Sequence, residues 1–442
     1  MFSLFKSVLA RARARAAVGN FAWLVGEKVV RLALGVVVGF WVARYLGPAR
    51  FGAYSYAMAI VGIAVMVTEG GMEGVLKREL LVQAERAPAL FAAVGIIRLC
   101  LGALGYLGLC GALAAGWGGT SEERSLLAVA GLLLFQPLWF TPDVWFQVRL
   151  QSRISVITQL VALACGAALR LTLIQREAGL TAFAWAAVGE AGVAGLLLAW
   201  RARAAGMRIG IGPGLPDLMR KLWQDAWPLL ASGIAVAVYI RIDAVMLRQM
   251  SGEGAVGIYA AGIKFTEVWF FFPGALAASL LPGIIRARAE GPDAYARRLQ
   301  RYCALSAVLA YGLTVPTALA APWLVRWAYG QAFIEAVPVL MVHTWVLVFA
   351  ALGVARGQYC INEGHTRFHL WATIAGAAVN VLLNLWLIPR HGPFGAAIAT
   401  LVAQMVAAWL SSFCFAPIRS FAWMQTRALV TPVRAFRHTS NV

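Results

Sequence analysis

The chain has 442 residues, 61% of them hydrophobic and 13% charged, with a mean hydropathy of +0.75, a composition far outside the soluble globular range. Apolar runs of about 20 residues, the length needed to span a bilayer, recur from end to end and leave no stretch for a sizeable soluble domain. The net charge of +19 comes from Lys and Arg scattered through the gaps between apolar runs, which argues against a nucleic-acid surface, where cations gather on one patch.

Arg11, Arg13 and Arg15 precede the first apolar run, which is too long for a signal-peptide core and lacks a convincing cleavage site. The N-terminus is therefore expected to be retained and cytoplasmic. Apolar length and flanking charge predict spans at about 16–45, 51–72, 88–115, 125–146, 154–175 and 179–200 in the first half. A second set is predicted at about 222–248, 254–283, 299–321, 334–358, 366–388 and 394–417. Gly47-Pro48, Pro213 to Pro216, Gly291-Pro292 and Gly392-Pro393 punctuate the gaps. With the N-terminus inside, twenty-five Lys and Arg, Arg356 among them, fall in segments on the cytoplasmic side; the other side holds seven: Arg44, Arg50, Arg124, Arg176, Arg248, Arg326 and Arg390. That bias and an even number of spans put the C-terminus in the cytoplasm as well.

Phe51-Gly52-Ala53-Tyr54 matches Val256-Gly257-Ile258-Tyr259, each just after the first long span of its half. Ser152-Arg153 likewise corresponds to Thr366-Arg367, and Leu173-Ile174 to Leu387-Ile388. In the same order, these matches predict a parallel repeat: an all-α membrane protein of about twelve helices in two pseudo-symmetric six-helix lobes, 1–207 and 222–442, with a cytoplasmic linker at 208–221 and a cytoplasmic tail. The six cysteines all fall in apolar runs without CxxC spacing and imply no disulfide framework. His365 and His369 stand four apart, but with no third ligand nearby they read as a helix-end pair instead of a metal site.

The stretch Val42-Ala43-Arg44-Tyr45-Leu46-Gly47-Pro48 followed by Phe51-Gly52-Ala53-Tyr54 resembles the end of the first helix in polysaccharide-biosynthesis flippases, the Wzx-type lipid-linked oligosaccharide translocases. Arg241-Ile242-Asp243, Val256 to Ala261, Asn384-Leu385-Trp386-Leu387-Ile388-Pro389 and Gly395 to Thr400 resemble the second half of the same family. The resemblance implies a fold similar to multidrug and toxin exporters, with two lobes around a central cavity that opens alternately to each side of a bacterial inner membrane. It implies a polyprenyl-pyrophosphate-linked glycan as cargo, in contact with membrane lipids, with a glycan polymerase and chain-length machinery as further partners and no cofactor. The motifs mark helix ends and tight turns, so they speak for the superfamily more than for the cargo.

Charges at membrane depth are costly, about 2.5–3.5 kcal/mol each on the insertion scale, and tend to face a cavity or a partner. Glu27 with Arg31, and Lys264 with Glu267, stand four and three apart and either neutralise each other or serve the cargo. Arg98 and Arg241 have no carboxylate at such spacing, which makes them the leading candidates for holding a pyrophosphate, with an interhelical salt bridge as the other reading. Lys28, Arg31, Lys264 and Arg170 extend the cationic set, although Arg170 lies near a helix end and has the reach to snorkel into the head-group layer. Most Trp residues sit at helix ends as interfacial anchors, whereas Tyr239 and Trp269 lie deeper and are candidates for contacting sugar. Asp243, Glu27 and Glu190 are the candidates for coupling to H+ or Na+, with the membrane potential as an alternative drive.

Two rival classes remain. A membrane glycan polymerase or glycosyltransferase needs a sizeable external loop bearing acid, base or phosphate-binding groups, and no such loop is present. A multidrug or other lipid exporter on the same fold is closer; an exporter of cationic drugs would show unpaired acids at depth, whereas the unpaired deep residues here are mainly Arg98 and Arg241.

Overall fold

A computed structural model describes the backbone of residues 2–439 and the side chains of residues 30–430 other than Ser232 and Ala235. Among the described residues there is no strand. The helices are α1 (Phe2–Glu69), α2 (Met72–Val82), α3 (Ala87–Ala114), α4 (Ser121–Gly131), α5 (Gln136–Trp139), α6 (Asp143–Val148), α7 (Ser152–Gln175) and α8 (Leu180–Ala204). They continue as α9 (Leu215–Trp269), α10 (Phe271–Ala289), α11 (Pro292–Tyr329), α12 (Ala336–His343), α13 (Val346–Asn362), α14 (Thr366–Ala408) and α15 (Arg419–Thr439).

Among the described residues nine helical stretches are long and apolar enough to cross a membrane. Three of them, Val30–Val82, Val236–Ala289 and Thr366–Phe413, have 53, 54 and 48 residues. At 1.5 Å per residue each would run about 70–80 Å if straight, more than twice the ~30 Å hydrocarbon core. Each is broken at a glycine with non-helical dihedral angles, Gly47, Gly252 and Gly392, in the gaps where the sequence predicts a return. Gly47 (φ 72°, ψ 172°) and Gly252 (φ 85°, ψ −179°) share one backbone conformation that disfavours a side chain. They occupy equivalent positions in the predicted repeat.

Several expected helices are interrupted. The span predicted at 125–146 is α4, a 3₁₀ turn at Leu132–Phe135, and then the short α5 and α6, because Pro137 and Pro142 have no N–H to continue the ladder. The span predicted at 254–283 breaks at Phe270, and the one at 334–358 breaks at Thr344-Trp345. The last predicted span is helical only to Ala408; 3₁₀ turns at Leu410–Phe413 and Ala416–Ile418 lead into α15.

The chain divides into two compact units, one formed by the residues up to Tyr45 with Tyr56–Arg241, the other by Leu46–Ser55 with the chain from Ile242 onward. The core of the first gathers Met72 and Leu76 of α2, Leu90 and Phe91 of α3, Phe146 of α6, Leu198 of α8 and Leu222 of α9. The core of the second joins Ile284, Tyr302, Cys303 and Leu352 to Phe421 and Ala428 of α15. Helix α15 is thus built into its unit: Phe421 stacks on Tyr359 with centroids 4.5 Å apart. The Gln425 amide donates to the carbonyls of Leu352 (3.1 Å) and Ala408 (3.0 Å).

In the second unit the turn carrying Gly52 lies backbone to backbone against the turn carrying Gly257. A Cβ on Gly52 would stand 1.8 Å from the Glu253 carbonyl oxygen, and one on Gly257 would stand 2.0 Å from that of Pro48. The two glycines of the matched repeat motifs therefore meet each other, and neither has room for a methyl group.

In the first unit Arg98 of α3 is 3% exposed and stabilises the broken stretch after α4. Its Nη1 donates to the Thr141 hydroxyl and to the Pro137 carbonyl, both at 2.9 Å; that carbonyl lacks a helical N–H partner, because the Thr141 amide turns to the Leu138 carbonyl.

Two stability measurements test these contacts. Gly52→Ala and Gly257→Ala should each destabilise the protein by about 1–3 kcal/mol through overpacking, while Gly74→Ala, in open space, should not; thermal unfolding in detergent reads the difference. Arg98→Ala should cost about 1–3 kcal/mol in the same assay, since charged hydrogen bonds in a buried setting are lost. Wild-type melting of either would contradict the packing described.

Candidate functional site

Two polar assemblies lie inside the apolar helices, one in each unit. In the first unit a cavity of about 200 Å³ is lined by Arg31 of α1, Gln136 of α5, Phe140, Gln159 and Arg170 of α7, and Glu190 of α8, with alanines and Leu133 completing the wall. Arg31 Nη2 donates to Gln159 Oε1 at 2.9 Å. Arg170 Nη1 meets Glu190 Oε2 at 2.6 Å, and both side chains are largely covered, 17% and 19% exposed. The small residues of α7 and α8 give these long side chains their space: a Cβ on Gly166 would stand 2.5 Å from Glu190 Oε2. Two guanidinium groups, one carboxylate and two neutral amides thus share the cavity. Such a pocket suits an anion with several oxygens, because guanidinium forks match phosphate geometry and the amides supply further donors.

In the second unit Asp243 of α9 is 3% exposed. Its Oδ2 accepts from the Tyr259 hydroxyl at 2.6 Å and from the Thr400 hydroxyl at 2.7 Å. Its Oδ1 accepts from Asn384 Nδ2 at 2.6 Å, and the same amide reaches Asn380 Oδ1 at 3.1 Å. Asn380 and Asn384 are four apart on one face of α14, and both are buried. Thr400, half-buried, comes from the far side of the break at Gly392. Asn384 Oδ1 has no hydrogen-bond partner among the described residues. His343 of α12 stands beside this cluster, its ring edge-on to Tyr259 at 6.2 Å. One carboxylate ringed by hydroxyl and amide oxygens is a chemical setting for a proton or a small hard cation.

The structure thus brings Arg31, Arg170 and Glu190 together and places Asp243 in a separate cluster. Arg98 lies in neither; its guanidinium serves the helix break at Pro137. Arg241 is exposed on α9, lying over Gly62 of α1, and has no carboxylate partner among the described residues. Lys264 and Glu267 pair with each other at 3.0 Å on an open face, 40% and 43% exposed. Tyr239 is half-buried on α9, and the Trp269 indole N–H donates to the Thr317 hydroxyl at 3.1 Å. The side chains of Glu27 and Lys28 lie outside the described residues.

Gln136, Gln159 and Asn380 were not singled out by sequence reasoning, and Tyr259, Asn384 and Thr400 entered it only within the repeat and family motifs, with no role at a site. The Asn380/Asn384 pair carried a readable signal, two amides at helical spacing within an apolar run. Arg356, expected among cytoplasmic loop cations, is instead 2% exposed. It donates to the Ala407 carbonyl and, at 2.9 Å, to the Ser411 hydroxyl, where α14 ends; a further guanidinium nitrogen stands 3.4 Å from His369 Nδ1.

Comparison with solved structures shows the same fold in known membrane transporters. The chain is similar to the lipid II flippase MurJ in an inward closed conformation, with TM-score 0.71, 14% identity, and 93% of this chain and 91% of that one covered. It is similar to the inward-facing conformation of a multidrug resistance MATE family transporter of the MOP superfamily, with TM-score 0.68, 14% identity, and coverage of 91% and 95%. A mutant of the Vibrio cholerae MATE transporter VcmN gives TM-score 0.61 at 15% identity, with coverage of 96% and 98%. At such identity the likeness establishes the fold alone. Among curated proteins, the uncharacterized membrane protein YabM of Bacillus subtilis (strain 168) is 31% identical over 100 residues, 22% of this chain, and the match spans only 18% of that relative's length. Residues 17–287 match the family described as Polysaccharide biosynthesis protein, which is most of the chain, and this multi-pass membrane protein belongs to that family.

Proposed function

We propose that the protein is a flippase that moves a polyprenyl-pyrophosphate-linked oligosaccharide from the cytoplasmic to the outer leaflet of a bacterial inner membrane by alternating access. The observation that carries this reading is the cavity of Arg31, Arg170 and Glu190, an arginine-lined polar pocket among apolar helices in a member of a polysaccharide-biosynthesis family. At about 200 Å³ it is too small for a sugar repeat unit and commensurate with a phosphate group. A substrate phosphate competes with Glu190 for Arg170 and draws on Arg31, so that the pocket exchanges an internal counter-ion for the cargo's own charge. Arg241, exposed and without a carboxylate partner among the described residues, is a second contact for the anion. A glycan polymerase acts on the translocated unit.

Asp243 is the coupling group in this scheme. Its three donors hold the carboxyl group in a dry setting, and H+ or Na+ taken up there competes with Tyr259, Thr400 or Asn384 for its oxygens. Binding therefore changes how α9 is tied to α14, which gives an ion gradient a structural handle on the helices.

In cells that depend on this protein for glycan export, Arg31→Ala with Arg170→Ala should lower transfer of lipid-linked repeat units by about tenfold or more, with protein levels in the membrane unchanged. Arg98→Ala should lose stability but keep its turnover per folded molecule. Undiminished transfer by the double variant would end the assignment of the cavity to the cargo. Asp243→Asn, close to isosteric, should insert normally and abolish the dependence of transfer on the ion gradient in proteoliposomes; retention of that dependence would remove Asp243 from the coupling step.

A further inference from the structure

A second concavity in the first unit lies on the flank of the helices, between α1 and α7. It is half-open, about 480 Å³, and lined by Trp41, Arg44, Tyr45, Leu171, Ile174 and Gln175. The stretch of α1 before its break at Gly47 runs in the same direction as α7, from the Arg31–Gln159 contact to the end of the groove, where the Tyr45 hydroxyl donates to the Ala178 carbonyl, just past α7, at 3.0 Å. Along both walls the chemistry changes with depth in the same sense. Arg44 and Gln175 stand at the end of the groove, while Trp41 and Leu171 lie about 4.5 and 6 Å deeper, at 1.5 Å per residue. Tyr45 turns its hydroxyl into the protein and leans its ring on Phe183, centroids 5.7 Å apart, so it contributes an apolar surface. Trp41 is 46% exposed. Arg44 is exposed and has no acidic partner among the described residues.

From this polarity we infer that the groove is a binding site for one anionic glycerophospholipid of the adjoining leaflet, the outer leaflet under the expected topology. The phosphodiester sits on the Arg44 guanidinium with the Gln175 amide beside it, and an acyl chain lies along Trp41, Ile174 and Leu171. A lone arginine matches the single charge of a phosphodiester; a pyrophosphate would call for more than one cation. The site lies apart from the Arg31 cavity and does not depend on the transport reading.

Native mass spectrometry of the full chain released from detergent, with phosphatidylglycerol added, tests this. One phosphatidylglycerol should stay bound per wild-type chain, Arg44→Ala and Arg44→Gln should weaken retention about tenfold, and Trp41→Ala should weaken it as well. Arg50→Ala, outside the groove, should behave as wild type. Diacylglycerol with the same acyl chains should not be retained. Equal retention by wild type and both Arg44 variants would overturn the site, as would equal retention of diacylglycerol. Displacement of phosphatidylglycerol by a lower concentration of polyprenyl phosphate would also overturn it, by showing that the groove belongs to the cargo.

Discussion

A charge inside a bilayer must bring its own solvent, and that requirement shapes each polar feature of this fold. Water is absent from the hydrocarbon, so a buried ion is tolerable only where carbonyls, amides, hydroxyls or a counter-ion replace its hydration shell. The chain meets the requirement in three ways. Arg98 takes acceptors at the break between α5 and α6, Arg170 takes a carboxylate from the neighbouring helix, and Asp243 gathers donors from α9 and α14. Arg356 repeats the first solution at the end of α14, where a helix runs out of internal donors for its last carbonyls. Helix interruptions are therefore part of the electrostatics as well as of the path of the chain.

The same comparison separates residues that stabilise from residues that remain available. A guanidinium bound to backbone carbonyls has its geometry fixed by the fold, and removing it leaves those carbonyls with a single hydroxyl donor each. The Arg170–Glu190 pair differs, because its partner is a side chain that can be exchanged for an anion of similar geometry without unwinding anything. Burial alone does not distinguish the two cases; the identity of the acceptor does.

Much of this was legible in the sequence. Hydropathy, charge bias and glycine–proline pairs located the membrane helices and the breaks at Gly47 and Gly392, and hydropathy alone left the gap that holds Gly252, because bilayer thickness imposes a fixed length on each span. The matched motifs stood out at Phe51–Tyr54 and Val256–Tyr259, and the structure shows their two glycine turns in mutual contact. Interruptions inside a span were harder to see: at the break between α5 and α6 the Pro137 carbonyl takes a donor from α3, a long-range fact that no local pattern encodes. For the same reason the unpaired look of Arg98 misled, since its partners are a backbone carbonyl and a threonine hydroxyl some forty residues away, which carry no signature at helical spacing. Arg170 and Glu190, twenty residues apart on different helices, became a pair only once α7 and α8 packed. The polar residues around Asp243 come from α9 and from both sides of the break in α14, and only Asn380 with Asn384 betrayed themselves by spacing.

Helix α15 alters how the end of this protein should be handled. Phe421 and Gln425 close over Tyr359 and over the carbonyls of Leu352 and Ala408, so the last helix acts as a plug for the unit that precedes it. Reporter fusions made by cutting the chain after Ile418, a common way to map sidedness, would expose that seam and report on a damaged molecule. Tags and reporters belong beyond the helix, with its whole length left in place.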